Sequence, residues 1–178
     1  GTLGGDSSEA NGINERGQIV GSSMTANNAL LPHAFLWEKG EMVDLGTLGG
    51  DLSVATGING RGQVDGWYRT AAAGKAYHAF LWERGRMTDL GTLGGLYSFA
   101  FGINGRGQVV GMSMTSGNVD HAFLWEKGKM VDLGTFVGDP PEHIDPALNP
   151  TLDAYQVVNA VYDGLTDIDA SDPDNPEI

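Results

Sequence analysis

Three histidines, His33, His78 and His121, stand at the same place in a repeated phrase, His-Ala-Phe-Leu-Trp-Glu. Each is followed by a tryptophan (Trp37, Trp82, Trp125) and then by an aspartate (Asp44, Asp89, Asp132). Imidazole and carboxylate are the side chains of proton transfer and of metal ligation. A metal site, however, is usually announced by two or three ligands at short local spacing, and here each copy supplies one histidine. The pattern instead predicts a structural network. Neutral His, with the Trp, the Asp and a Ser of its repeat, satisfies a buried carboxylate and fixes strand register.

A second group of candidates is acidic. Asp167, Asp169, Asp172 and Asp174 alternate near the C-terminus beside Ser171 and Asn175. Calcium takes six to eight oxygen ligands, so the spacing suits it, but Asp172 occupies the place of the central Gly of an EF-hand and the closing Glu is not in place. A solvated acidic linker is the plainer reading, with calcium as the one cofactor the sequence admits. Asp6 and Asp51 follow Gly-Gly pairs, and Leu96 breaks that series. The Gly-Gly pairs open no helix, which argues against a phosphate cradle.

Catalysis needs one site, not three equal ones, so an active site would lie in residues unique to one copy. Those are Asp65, Trp67, Tyr68 and Arg69 in the second, beside a variable loop at 71–77. No nucleophile or paired carboxylates accompany them, and the chain reads as a non-enzyme. Aromatic rings beside an arginine suit a ligand or partner patch, whether glycan or protein, with packing variation as the bland alternative.

These residues are carried by three near-copies of one unit, at 1–45, 46–90 and 91–133. A fixed period of about 20–50 residues marks an array in which each repeat buries its apolar face against the next. Within a unit the alternation of small and large residues predicts a strand at Ser98–Ile103, a turn at Asn104–Gly107 and a strand at Gln108–Ser113. A third strand is His-Ala-Phe-Leu-Trp-Glu, at 33–38, 78–83 and 121–126. Two-residue hairpins at Lys39-Gly40, Arg84-Gly85 and Lys127-Gly128 lead into a fourth, Met-x-Asp-Leu. Four antiparallel strands in about 45 residues is the arithmetic of a propeller blade. The predicted fold is therefore an all-β repeat array of three propeller-like blades, with an open β-repeat stack as the alternative. Three blades fall short of the four to eight that close a ring. An excerpt of a longer array, a six-bladed ring from two chains, or an open head-to-tail polymer would each resolve the shortfall.

Residues 134–178 are of another kind. All ten Lys and Arg lie before them, against 13 of the 23 acidic residues, so the repeats carry −3 and the tail −10. Six of the seven prolines are in the tail. A helix is predicted at 151–163, with Thr151 as N-cap, Asp153 in the first turn, Val157, Val158, Val161 and Tyr162 at helical spacing, and Gly164 as stop. A pI near 4.4 disfavours nucleic acid and anionic membranes, and no apolar run is long enough to span a bilayer. Cysteine is absent, which excludes disulfides and leaves the compartment open. The opening Gly in place of Met reads as a processed product or an excerpt.

The phrases Gly-Ile-Asn-x-x-Gly-Gln-Val-Val-Gly and His-Ala-Phe-Leu-Trp-Glu-x-Gly-x-Met-x-Asp-Leu-Gly-Thr-Leu-Gly-Gly resemble the HAF repeat of extracellular bacterial proteins, across residues 1–133. That resemblance implies a secreted or cell-surface β-repeat protein and carries no defined biochemical activity. The tail, through Gly138–Leu148 and Ala154–Leu165, resembles the mature N-terminal segment of oligopeptide-type extracellular solute-binding proteins of ABC importers. It covers about 40 residues of a fold several hundred long, so the lobes that would enclose a peptide are not part of it. The functional expectation is a non-enzymatic extracellular or cell-surface module for structure, adhesion or assembly, self-associating, with a filament as one form the assembly would take. A truncated peptide-binding receptor of an ABC importer and a carbohydrate-binding propeller are the alternatives.

Overall fold

The computed structural model describes residues 1–26, 28–71 and 76–134. The tail helix at 151–163, the acidic cluster Asp167, Asp169, Asp172 and Asp174, and the whole solute-binding resemblance lie outside the described residues.

The described chain is all β, with twelve strands. In the first repeat they are β1 (Gly4–Ile13), β2 (Ile19–Thr25), β3 (Asn28–Glu38) and β4 (Glu41–Gly46). The second holds β5 (Ser53–Ile58), β6 (Val64–Arg69), β7 (Tyr77–Glu83) and β8 (Arg86–Gly91). The third holds β9 (Gly94–Ile103), β10 (Val109–Thr115), β11 (Asp120–Glu126) and β12 (Lys129–Asp132). The first four strands form an antiparallel sheet in chain order. The other eight form a second sheet, in which β5 to β8 and β9 to β12 are antiparallel sets joined by one parallel pairing, Tyr77 with Tyr97. Among the described residues neither sheet closes into a barrel and no helix is present.

The turns follow from their residues. Asn14, Asn59 and Asn104 each accept, through Oδ1, the backbone N–H groups two and four residues on, and Gly17, Gly62 and Gly107 close the turn. Lys39-Gly40, Arg84-Gly85 and Lys127-Gly128 have positive φ at both positions, the twist that suits a two-residue hairpin. A further glycine is demanded by packing. Gly66 pairs with Phe80 across strands, and a Cβ there would sit 2.8 Å from the Phe80 ring and overlap Val54 O. Gly111 stands in the same relation to Phe123. The phenylalanine of each His-Ala-Phe thus lies where its partner strand has no side chain.

The core sits between repeats, not within them. One cluster joins Val20, Ala34, Leu36 and Leu45 of the first repeat to Ala55, Val64, Tyr68, Phe80 and Met87 of the second. The other joins Ala79, Leu81 and Leu90 to Ala100, Ile103, Val109 and Phe123 of the third. Polar bonds repeat at the same joints. Ser53 Oγ accepts from Ala34 N and donates to Gly46 O, and Ser98 does the same with Ala79 N and Gly91 O. Asn14 Nδ2 donates to Asn59 O, and Asn59 Nδ2 to Asn104 O, at 2.9 and 2.8 Å. Burying one amide per joint with its bonds satisfied fixes the register of repeat on repeat.

Candidate functional site

The three His–Asp sets form, one per repeat, on the hairpins β3–β4, β7–β8 and β11–β12. His33 Nδ1 lies 2.8 Å from Asp44 Oδ2, His78 Nδ1 3.0 Å from Asp89, and His121 Nδ1 2.8 Å from Asp132. The second carboxylate oxygen is also engaged. Asp44 Oδ1 accepts from Gly46 N, Asp89 Oδ1 from Gly91 N, and Asp132 Oδ1 from Gly134 N. Each aspartate therefore ties the end of its hairpin to the backbone that leaves the repeat.

These pairs are half-exposed at the surface rather than sealed inside a repeat: the aspartates keep 42–44 % of their side-chain surface. The tryptophans belong elsewhere, Trp82 packing on the first apolar cluster and Trp125 on the second. Trp37 is half-buried, paired with Ile19 and Met42 on its neighbouring strands. Burial pushes the Asp89 carboxyl up. The His78 and Gly91 hydrogen bonds, the His78 charge and the Tyr68 hydroxyl outweigh it and hold the group below the usual range. Asp132 is also held low, by His121 first and Gly134 N next. Among the described residues no three His, Asp or Glu side chains gather as a metal site.

The residues unique to the second repeat separate by the alternation of β6. Tyr68 turns inward, is buried, and packs edge-on against His78. Its hydroxyl is pushed up to about 12 by burial, by the Asp89 charge and by its hydrogen bond to Asp89. Trp67 turns to the other face. It meets Tyr77 and Phe99 edge-on, at 5.6 and 5.5 Å between centroids. Tyr77 stacks on Phe99, which also touches Tyr97. The result is a half-exposed wall of four rings drawn from two repeats, bounded by polar groups. Arg69 Nε donates to Asp51 Oδ1 at 2.6 Å, and Tyr97 Oη donates to Asp120. Tyr97 and Phe99 were not singled out from the sequence. Their signal was present: the third copy places aromatic rings where the first has Ser7 and Glu9.

Asp65 occupies the place of Val20 and Val110 and is fully buried. Its Oδ2 lies 3.1 Å from Thr56 Oγ1, which is 3.0 Å from Ala100 O, and its Oδ1 has no partner among the described residues. The threonine hydroxyl carries one proton. If that proton goes to Ala100 O, the Asp65 contact is a hydrogen bond only when the acid donates. Burial, opposed by the Thr56 bond, pushes Asp65 up to about 7, in keeping with a protonated acid in the core.

No helix among the described residues is long and apolar enough to cross a membrane. No family model, no curated protein and no solved structure matches the chain.

Proposed function

We propose that the chain is a non-enzymatic extracellular or cell-surface β-repeat module, with three propeller-like blades, that serves structure, adhesion or assembly. One observation carries the reading: the residues common to the copies are spent on joining one repeat to the next. Ser53 and Ser98, the Asn14–Asn59–Asn104 series and the His–Asp clamps all tie backbone to backbone. The extracellular placement rests on the resemblance to HAF repeats. Solution mass by light scattering, across a thousandfold range of concentration, tests the assembly reading. Concentration-dependent growth supports it; a monomer throughout removes assembly and leaves adhesion to be tested on surfaces.

A second reading, carbohydrate binding, is favoured by the ring wall of Trp67, Tyr77, Tyr97 and Phe99 beside Arg69, because sugar faces stack on exposed rings while their hydroxyls pair with flanking polar groups. Glycan-array binding that is lost in Trp67→Ala supports it, and an array blank for the intact chain ends it. The receptor reading depends on residues 134–178 alone and predicts a solute-binding fold continuing beyond them.

A further inference from the structure

We infer that the outer face of the third repeat is a docking surface for the first repeat of a second copy of this chain, in the geometry that already joins the repeats. This deepens the assembly reading and rests on it. Each internal joint has two halves. The earlier repeat offers Ala34, Leu36 and Leu45 at the first joint, and Ala79, Leu81 and Leu90 at the second. All six are buried.

In the third repeat the same three places are held by Ala122, Leu124 and Leu133. Leu133 is 44 % exposed, where Leu45 and Leu90 are 7 % and 6 %. Ala122 is half-buried, where Ala34 and Ala79 are sealed. Residues 134–178 do not repeat the unit.

The complementary half is exposed on the first repeat. The later repeat enters a joint through Ala55, Ile58 and Val64, or through Ala100, Ile103 and Val109. Their counterparts are Ala10, Ile13 and Ile19. Ile13 is 68 % exposed, against 8 % for Ile103. Polar halves match as well. Ser8 holds the place of Ser53 and Ser98, and among the described residues its hydroxyl donates to Gly1 O, 2.8 Å away, not across a joint. Asn104 holds the place from which Asn14 and Asn59 reach the next turn. A second copy is the occupant whose surface repeats, residue for residue, what the internal joints use. Such a contact is heterologous, so it builds a ring if the rotation closes and a filament if it does not.

The test uses the whole 178-residue chain with two charge substitutions, Ile13→Asp and Leu133→Asp, each at an exposed position. Sedimentation equilibrium of the unaltered chain is expected to show association, and each variant alone to weaken it at least about tenfold, with thermal midpoints little changed. Mixing the variants one to one is the decisive step. Ile13→Asp keeps an intact third-repeat face and Leu133→Asp an intact first-repeat face, so the mixture is expected to form pairs and nothing larger. If the unaltered chain associates but the mixture does not pair, this joint is wrong and the assembly reading stands. If the unaltered chain is monomeric at millimolar concentration, both fall. If it is monomeric and Leu133→Asp lowers the thermal midpoint by many degrees, the chain's own C-terminal segment covers the face, and a second copy is overturned.

Discussion

The crossing into the second repeat differs from the crossings into the first and third, although all three read Gly-Thr-Leu-Gly-Gly. At the outer two, Leu3 N and Leu93 N donate to Ser23 Oγ and Ser113 Oγ, 2.9 Å in each case. Leu3 and Leu93 bridge Thr25 and Thr115, and β1 and β9 begin at once, at Gly4 and Gly94. In the second repeat Tyr68 replaces that serine. Its hydroxyl goes to Asp89 instead, Leu48 takes a φ of 50°, and β5 does not start until Ser53. The same five residues thus extend where a serine stands about twenty residues on, and fold into a turn where a tyrosine stands there. The second repeat also carries an aspartate where its neighbours carry valine, so it departs from them both at its entry and in its core.

The largest effect is expected from making the core alike. Asp65→Val places the neighbours' residue beside Gly57 and removes a buried acid with an unpartnered oxygen. The Asp65 pKa is raised by folding from 3.8 to about 7. Its contribution is therefore fully present below pH about 3.8 and is lost as pH rises to about 7, by roughly a few kcal/mol in total. Asp89 and Asp132 have the opposite sign, giving stability above their ordinary range that is lost on acidification. In urea unfolding at pH 8, Asp65→Val is expected to be more stable than the natural chain by roughly 2–4 kcal/mol, with the gap narrowing toward pH 4. Equal stability at pH 8 would mean that Asp65 is compensated in the core, and that this difference between the repeats costs nothing.

How much of this was legible follows from how far apart the deciding residues stand. Strand alternation at Ser98–Ile103, the Asn-x-Arg-Gly turns and the two-residue Lys-Gly and Arg-Gly hairpins are local, and the sequence places them. The His–Asp partners were also legible, since both recur at a constant spacing within one hairpin. Their exposure was not: the aspartates keep 42–44 % of their side-chain surface, which depends on how the repeats pack around each hairpin rather than on spacing within it. Grouping Trp67, Tyr68 and Arg69 as one patch overlooked the two-residue period that sends Tyr68 inward. Tyr97 and Phe99 join Trp67 only through the packing of β9 on β6. β9 starts at Gly94, four residues before the predicted Ser98, where Leu93 N donates to Ser113 Oγ of the following strand, a dependence that local alternation does not signal.

That last dependence can be cut. Ser113→Ala removes the acceptor of Leu93 N and the donor to Tyr97 O. With Ser113 buried, the loss is expected to be about 1–2 kcal/mol. Amide exchange should quicken at Gly94–Tyr97 and leave Ser98–Ile103 unchanged, so that β9 comes to begin where β5 does. Uniform quickening along β9 would show that the serine merely stabilises the strand and does not choose its starting point.

The smallest effect, at Leu48, is the most diagnostic, because the same substitution at Leu93 is expected to have the opposite sign. Leu48 sits in the left-handed region, 43 % exposed, where a residue with a Cβ costs roughly 1–2 kcal/mol and glycine costs nothing extra in the fold. Leu48→Gly relieves that strain and gives back about 0.4–1 kcal/mol through the freer unfolded chain, for a net gain near 0.5 kcal/mol. Leu93 has no such strain; it bridges Thr115 and packs on the second apolar cluster. Leu93→Gly is therefore expected to cost about 2 kcal/mol. Thermal midpoints of the two variants moving in opposite directions would confirm that a turn and a strand start are held by different means. If both fall together, Leu48 is held in its turn by contacts strong enough to outweigh its backbone, and Tyr68 is not what separates the two crossings.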